Sequence, residues 1–151
     1  MFELNGRRGI ITGASSGIGY SIANVIAEAG ATVYAISRSG SAKDPEASVH
    51  RNVKHIKGDI TDYPSMERLV TELGETDGID FLINNAGVSI RKRAEELRDE
   101  DFEYVQRVNV FAPFKLSVLC FPYLRNSRFV GRIIITRKPG RSKIRFADII
   151  N

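Results

Sequence analysis

The chain has 151 residues, among them 22 lysines and arginines, 18 acidic residues and a single cysteine. A chain of this length is expected to fold as one domain that buries roughly 70% of its unfolded surface, so folding needs neither a metal nor a disulfide. One thiol forms no internal bridge, no apolar run approaches the roughly 18–20 residues of a membrane span, and FELNGRR after Met1 is not a leader. We therefore expect a soluble cytoplasmic protein.

The net charge of +4 is concentrated at one end of the chain. Residues 137–151 contain five basic residues and one acidic residue, which leaves 17 of each sign before position 137. Basic residues without aromatic residues at stacking intervals make a poor nucleic-acid site, so no nucleic-acid partner is expected.

Apolar runs and polar stretches alternate along the first half of the chain. RGIIT (8–12) predicts a strand, and ATVYAIS (31–37) predicts a second strand. Between them, residues 18–29 predict a helix whose apolar face carries Ile22, Val25, Ile26 and Ala29. The polar residues 38–52 predict a loop with at most a short helix, and VKHIKGDI (53–60) a third strand.

The second half continues this alternation. A helix is predicted from Asp62 to Gly74, a fourth strand at IDFLIN (79–84), a long and largely buried helix at 99–124 that Pro113 kinks or restarts, and a fifth strand at GRIIIT (131–136). The absence of hairpin signals predicts right-handed crossovers, and hence an α/β fold in which helices cover both faces of a parallel sheet of about five strands.

The sequence TGASSGIG (12–19) lies between the first strand and the first helix. A phosphate approaches a backbone closely only where no Cβ intervenes, and the free amides at a helix start carry positive charge. Gly13, Gly17 and Gly19, with the hydroxyls of Ser15 and Ser16, are therefore predicted to bind a pyrophosphate. A plain tight turn would explain two of the three glycines.

The second predicted strand ends at Ser37-Arg38, with no carboxylate before Asp44. An acidic residue at this position binds the ribose 2′-hydroxyl of NAD(H), whereas an arginine accommodates the 2′-phosphate of NADP(H). Arg38 therefore favours NADP(H) over NAD(H). The alternative is a solvated arginine at a loop entrance.

Five motifs in order resemble the short-chain dehydrogenase/reductase family: TGASSGIG, the Ser-Arg pair, GDIT (58–61), NNAG (84–87) and Asn109. The resemblance covers about residues 5–136, the cofactor-binding half of the family. It implies a Rossmann-like three-layer αβα fold, truncated at its C-terminal side. Residues 1–136 would form an incomplete dinucleotide-binding domain, and 137–151 a divergent basic tail.

The resemblance also implies roles for individual residues. The phosphates and ribose would contact Gly13, Ser15, Ser16, Gly17, Ile18 and Gly19. Arg38 would contact the 2′-phosphate, and Asp59 and Ile60 would contact the adenine. Asn85, Ala86 and Gly87 would line the path to the nicotinamide. Asn109 would be the catalytic asparagine, and no metal is implied. Two alternatives stay open. Asp59 could cap the following helix, as could Thr61 or Asp62, and Asn109 could be a buried amide satisfied by backbone.

The sequence departs from the family after the fifth predicted strand. Arg137 and Lys138 stand where the family has serines, and no tyrosine follows Tyr123, so the family's tyrosine-x-x-x-lysine pair is absent. Asn109 is the one recognisable member of four catalytic residues. The resemblance thus implies an NADP(H)-dependent oxidoreductase acting on a carbonyl or alcohol, in a truncated or frameshifted form that is inactive alone.

Two other hypotheses remain: a non-catalytic NADPH-binding module that exposes the long helix to a partner subunit, and an enzyme that completes its site from another chain or uses unrecognised residues. Without the missing family segment the fifth strand is expected to be an exposed edge, and the helix at 99–124 to expose Phe111, Phe114, Leu119 and Phe121. A second copy or a partner would dock there.

Overall fold

The computed structural model describes residues 3–136 of the chain. Five strands alternate with four helices in this part of the protein. The strands are β1 (Arg8–Thr12), β2 (Thr32–Ser37), β3 (Val53–Lys57), β4 (Phe81–Asn84) and β5 (Arg132–Ile135). The helices are α1 (Gly17–Glu28), α2 (Tyr63–Thr76), α3 (Asp99–Gln106) and α4 (Ala112–Arg125), with a 3-10 turn at Ala94–Glu96 and a π-helical segment at Arg107–Phe111.

The strands form one sheet in the order β3-β2-β1-β4-β5, and every pair is parallel. Ile10 of β1 is in register with Tyr34 of β2 on one side and with Leu82 of β4 on the other. The connections therefore leave in opposite directions at the carboxyl ends of β1 and β4, where open α/β sheets form a crevice. The predicted parallel α/β architecture is confirmed.

Helices cover both faces of the sheet, so the apolar strand residues form two cores. On one face α2 and α4 pack on the sheet, and the buried residues include Ile10, Ile36, Met66, Val70, Leu82, Leu116 and Cys120. On the other face α1 packs on the sheet, and the buried residues include Ile11, Ala23, Ala27, Val33, Ala35 and Ile83. The side chain of Cys120 is fully buried, and its burial raises the pKa of the thiol to about 12, which makes it a core residue.

The packing face of α1 differs from the predicted one. Val25 is exposed, Ile22 and Ile26 are only partly buried, and the fully buried positions are Ala23 and Ala27. Small side chains let the helix axis approach the sheet, so the contact face centres on the alanines and not on the larger residues. Gly30, with a φ of 100°, follows the helix, which was predicted to end at residue 29.

Helix α2 continues beyond Gly74, contrary to the prediction that this glycine closes it. A Cβ added at Gly74 would lie 2.5 Å from ring atoms of Tyr123, so the missing side chain makes room for an aromatic ring of α4. The chain turns instead at Gly78, where φ is 77°. At the other end Asp62 caps the helix by accepting a hydrogen bond from Ser65 N at 3.2 Å, which answers the question of the cap.

The predicted helix at 99–124 is divided into α3, the π-helical segment and α4. Pro113 lies in the first turn of α4, directly after the π-helical segment that divides the predicted helix. The prediction of a largely buried helix is wrong. Val108, Ala112, Leu116, Cys120 and Leu124 are buried, whereas Phe111, Phe114, Val118 and Phe121 form an apolar stripe that is more than half exposed. Leu119, expected in this exposed face, is partly buried against the core.

Strand β5 lies at an edge of the sheet that residues 3–136 form, as expected. Its partner is β4, with Ile134 in register with Ile83, and all four of its residues are exposed. The predicted tail at 137–151, with Arg137 and Lys138, lies outside the described residues. Between residues 3 and 136, no helix combines the length and apolarity that crossing a membrane requires.

Candidate functional site

A cleft of about 880 Å³ opens at the carboxyl ends of β1, β2 and β4. Its lining includes every residue that the sequence predicts to contact a cofactor, namely Gly13, Ser15, Ser16, Gly17, Ile18, Gly19, Arg38, Asp59, Ile60, Asn85, Ala86 and Gly87. These residues come from four separate loops. The parallel sheet brings the loops together because its strands all end at the same edge.

The glycine loop is packed directly against the NNAG segment. Gly13 has a φ of 68°, and a Cβ there would lie 2.7 Å from Ala86 Cα. Its amide donates to Ile36 O at 2.8 Å, which fixes the loop to the end of β2 as well. Both its conformation and its surroundings therefore require glycine at this position.

The start of α1 faces the cleft with free amides. Ser16 is the N-cap residue, but its side chain makes no capping hydrogen bond, and the first turn contains no acidic residue. A Cβ at Gly19 would lie 2.3 Å from Asn85 Nδ2, so the helix start can approach the NNAG segment only with glycine there. The first N–H groups of a helix have no partner within it, and the helix dipole adds positive charge. This end of the cleft is suited to an anion such as a pyrophosphate.

Asn85 lines the cleft, but its carboxamide is already bonded within the protein. Its Nδ2 donates to Thr12 O at 3.0 Å and to Gly13 O at 3.1 Å, and its Oδ1 accepts from Thr136 Oγ1 at 3.0 Å. The side chain thus joins the ends of β1, β4 and β5. Its role in this geometry is to position the glycine loop.

Thr12 is a structural residue of the site that the sequence analysis missed. Its hydroxyl is buried and accepts hydrogen bonds from the amides of Asn85 and Ala86, each at 3.0 Å. The available signal was a threonine at the last position of an otherwise apolar strand, beside a predicted glycine loop. A polar side chain there needs partners, and the neighbouring strand end supplies them.

Asp59 does not cap α2. Its Oδ1 accepts from the backbone amide and the hydroxyl of Thr61, at 2.9 and 2.7 Å, which holds the turn after β3. The alternative that Asp59 is the helix cap is therefore wrong. The hydroxyl and amide of Ser65 lower the pKa of the actual cap, Asp62. Asp59 and Ile60 remain at the edge of the cleft.

Arg38 is exposed and lies on the cleft wall directly after β2. The wall continues through residues of the following loop that sequence reasoning did not identify: Ser37, Ser39, Ser41, Ala42 and Lys43. Loop residues follow no hydrophobic period, so the pattern that located the strands could not locate them. Tyr104 and Val108 add apolar surface to the lining.

Asn109 lies in the π-helical segment beside the NNAG loop. Its Oδ1 accepts from Val88 N and its Nδ2 donates to Val88 O, both at 2.8 Å, so the carboxamide pairs with one backbone unit as a strand would. The alternative that Asn109 is a buried amide satisfied by backbone is correct in one respect and wrong in the other. Its carboxamide is bonded to backbone, but the residue is exposed. π-Helical turns often occur at functional sites. This one directs Asn109 at the loop that begins with NNAG.

The part of the chain that the structure describes contains no group of His, Cys, Asp and Glu side chains suited to a metal. A family model described as short chain dehydrogenase matches residues 8–138. The chain belongs to the short-chain dehydrogenase family. The family resemblance of its motifs is thereby confirmed.

Three relatives illustrate the similarity. The fatty acyl-CoA reductase of Acinetobacter baylyi is 35% identical over 129 residues, which cover 81% of this chain and 44% of that protein. The structure of Pseudomonas aeruginosa RhlG with NADP is 33% identical with a TM-score of 0.78, covering 89% of this chain and 55% of that one. A short-chain dehydrogenase of Leptospira borgpetersenii with bound NAD⁺ is 26% identical with a TM-score of 0.77, covering 88% and 52%. The chain spans about half the length of these relatives.

Proposed function

We propose that this chain is the dinucleotide-binding half of an NADP(H)-dependent short-chain reductase that acts on a carbonyl or alcohol. The observation that carries the proposal is the single cleft that has the free amides of α1 in one wall and Arg38 in another. RhlG was solved with NADP and the Leptospira relative with NAD⁺, so relatives support a nicotinamide dinucleotide. The preference for NADP(H) rests on Arg38.

The cleft suits this cofactor because Gly13 and Gly19 let the glycine loop and the start of α1 pack closely against the NNAG segment. The amides of the glycine loop would hold the pyrophosphate, Arg38 the 2′-phosphate, and Asp59 with Ile60 the adenine. Ala86 and Gly87 would line the path to the nicotinamide, on a loop that Asn109 positions through Val88. The bound nicotinamide would exchange a hydride with the substrate carbon.

Carbonyl reduction also needs an acid that protonates the developing alkoxide. Asn109 is the one residue of the family's catalytic set that the motif match assigns, and Arg137 and Lys138 occupy the serine positions. We therefore propose that residues 1–136 bind NADPH, that the tail at 137–151 adds no catalytic group, and that the chain alone binds the cofactor without turnover.

Fluorescence titration of the full chain with NADPH and with NADH tests the cofactor proposal. Arg38→Gln is expected to raise the Kd for NADPH about tenfold and to leave that for NADH within about twofold, since a charge-assisted hydrogen bond to phosphate is lost. Arg51→Gln, at an exposed position of the same loop, is the matched control. Equal losses for both dinucleotides would contradict the assignment of Arg38.

A panel of aldehydes and ketones tests the absence of turnover. We expect no NADPH oxidation above the rate without protein. Oxidation that Asn109→Ala abolishes would show that the chain is a working enzyme.

The apolar stripe that runs from Phe111 along α4 favours a second candidate function, a cofactor-binding module that pairs with another subunit or a second copy. Phe111, Phe114, Val118 and Phe121 lie three and four residues apart, as one face of a helix requires, and patches of this kind mark protein interfaces. Light scattering with size exclusion is expected to show an oligomer that Phe114→Glu with Phe121→Glu disrupts. A monomer at every concentration would contradict self-association.

A further inference from the structure

The loop between β2 and β3 is fastened to α1 and to the glycine loop at three points. Lys43 N donates to Ser15 O at 2.7 Å, the hydroxyl of Tyr20 donates to Ser48 O, and His50 N donates to Asn24 Oδ1 at 2.7 Å. These bonds join a segment of irregular structure to the helix beside the cleft. The backbone of the loop is therefore held beside the glycine loop before any ligand binds.

A serine turn reverses the chain immediately after Arg38. The amide of Gly40 donates to Ser37 Oγ at 3.1 Å and to Ser37 O at 3.2 Å, and Ser39 Oγ donates to Ser41 O at 3.0 Å. Gly40 has a φ of 71°, and a Cβ there would lie 2.7 Å from Lys57 Cβ, so the turn is specific to glycine. Its consequence is that residues 41–43 return toward the glycine loop and line the same cleft as Arg38.

The charges at this end of the cleft are unequal. Among the described residues of the lining, the cations are Arg38 and Lys43, and the one carboxylate is Asp59. Asp59 already accepts two hydrogen bonds from Thr61. Both cations are exposed side chains with their backbones fixed by β2 and by the Ser15 contact. A phosphate monoester carries a charge of about −1.5 to −2 at neutral pH, more than one arginine neutralises.

We propose that Lys43 is a second cation of the adenosine 2′-phosphate site and that it determines, with Arg38, the preference for NADP(H). The inference rests on the proposed dinucleotide function and adds a residue to it. Lys43 reaches the phosphate from the glycine-loop side and Arg38 from the β2 side. Because the loop is already fastened, little ordering cost opposes binding.

The experiment compares Lys43→Gln with Lys57→Gln in the full chain. Lys57 is also exposed and follows the same loop, but it does not line the cleft. Titration uses NADPH, NADH, adenosine 2′,5′-bisphosphate and adenosine 5′-monophosphate as probes. The last two differ only in the 2′-phosphate and omit the nicotinamide half.

Lys43→Gln is expected to raise the Kd for NADPH and for the bisphosphate about tenfold, and to leave NADH and the monophosphate within about twofold. NADPH binding to this variant should also depend less on salt, because one screened charge is gone. Lys57→Gln should change none of the four.

Equal weakening of all four probes by Lys43→Gln would overturn the inference, since it would place Lys43 at the pyrophosphate or in loop structure. No change with any probe would overturn it as well. If the unmodified chain binds neither NADPH nor NADH, the proposed function itself fails, and this outcome is visible before any variant is made.

Discussion

The cleft and the outer face of α4 are built in opposite ways, although the π-helical segment joins them. At the cleft the polar groups of Thr12, Asn85 and Asn109 are paired with neighbouring backbone at 2.8–3.1 Å. On α4, by contrast, the phenyl rings of Phe114 and Phe121 are 61% and 55% exposed.

This contrast between paired polar groups and exposed apolar rings indicates that cofactor binding and association with another chain depend on different parts of the molecule. The loops that line the cleft are joined to one another by hydrogen bonds within the described residues. The outer face of α4 and the edge strand β5 have apolar surface that, in a stable soluble assembly, is normally covered. Cofactor binding should therefore be robust in this chain, while its state of association should depend on the apolar stripe.

The largest expected effect contrasts the two faces of α4. Leu116→Ala removes a fully buried side chain and should lower the free energy of unfolding by about 2–5 kcal/mol. Phe114→Ala removes a ring that is 61% exposed and should change it by about 0.5 kcal/mol or less. Urea unfolding at low protein concentration measures both. A comparable loss in Phe114→Ala, growing with protein concentration, would mean that a second copy covers the stripe.

The next effect concerns the paired groups of the cleft. Thr12→Val keeps the volume but leaves the partly buried amides of Asn85 and Ala86 without their acceptor, so the free energy of unfolding should fall by about 1–2 kcal/mol. NADPH binding should weaken with it, since the NNAG loop shifts. Thr76→Val, at the exposed end of α2, is the control and should have little effect. Unchanged stability in Thr12→Val would show that water replaces the hydroxyl.

A smaller effect separates strain from fit at the glycine loop. Gly13→Ala and Gly78→Ala both place a side chain at positive φ, and this conformation alone should cost each about 1 kcal/mol of stability. Gly13→Ala should lose more, because its Cβ would also lie 2.7 Å from Ala86 Cα, whereas at Gly78 nothing lies within 4 Å. NADPH binding should therefore weaken about tenfold or more in Gly13→Ala alone. Equal NADPH binding by the two variants would mean that the glycine loop shifts to accommodate the new Cβ without weakening cofactor binding.

Short-range patterns were enough to predict the sheet and the cleft loops. β1 was predicted with its observed bounds, and the other strands within three residues at each end, because buried parallel strands are short apolar runs between turn residues. The glycine loop could be located because a phosphate site demands both glycine and a following helix. These features depend on neighbours in sequence.

Features that depend on distant partners were not predictable. Gly74 looks like a helix terminus until the ring of Tyr123 is placed against it, and Val25 looks like a core residue until Ala23 and Ala27 bring α1 close to the sheet. Lys43 belongs to the cleft wall only because its amide meets Ser15 O, 28 positions earlier in the chain. Tertiary contacts of this kind leave no period in the sequence.

The smallest expected effect concerns His55, a polar side chain on the α1 side of the sheet whose ring nitrogens, unlike the polar groups of the cleft, have no hydrogen-bond partner among the described residues. His55 of β3 lies on the same face of the sheet as Val53. Burial lowers the pKa of His55 below its usual 6.5. As pH falls below about 6.5, His55 therefore becomes protonated in the unfolded chain while it stays neutral in the folded protein, and the free energy of unfolding declines.

His55→Phe removes this titration, so its free energy of unfolding should fall less between pH 7 and pH 5 than that of the unmodified protein. The chain has two histidines, and the imidazole NMR signals that disappear in the variant belong to His55. Their titration midpoint should lie below 6.5. A midpoint at or above 6.5, with equal slopes for the two proteins, would mean that the ring has a partner in solution and that the pairing of polar groups extends across both faces of the sheet.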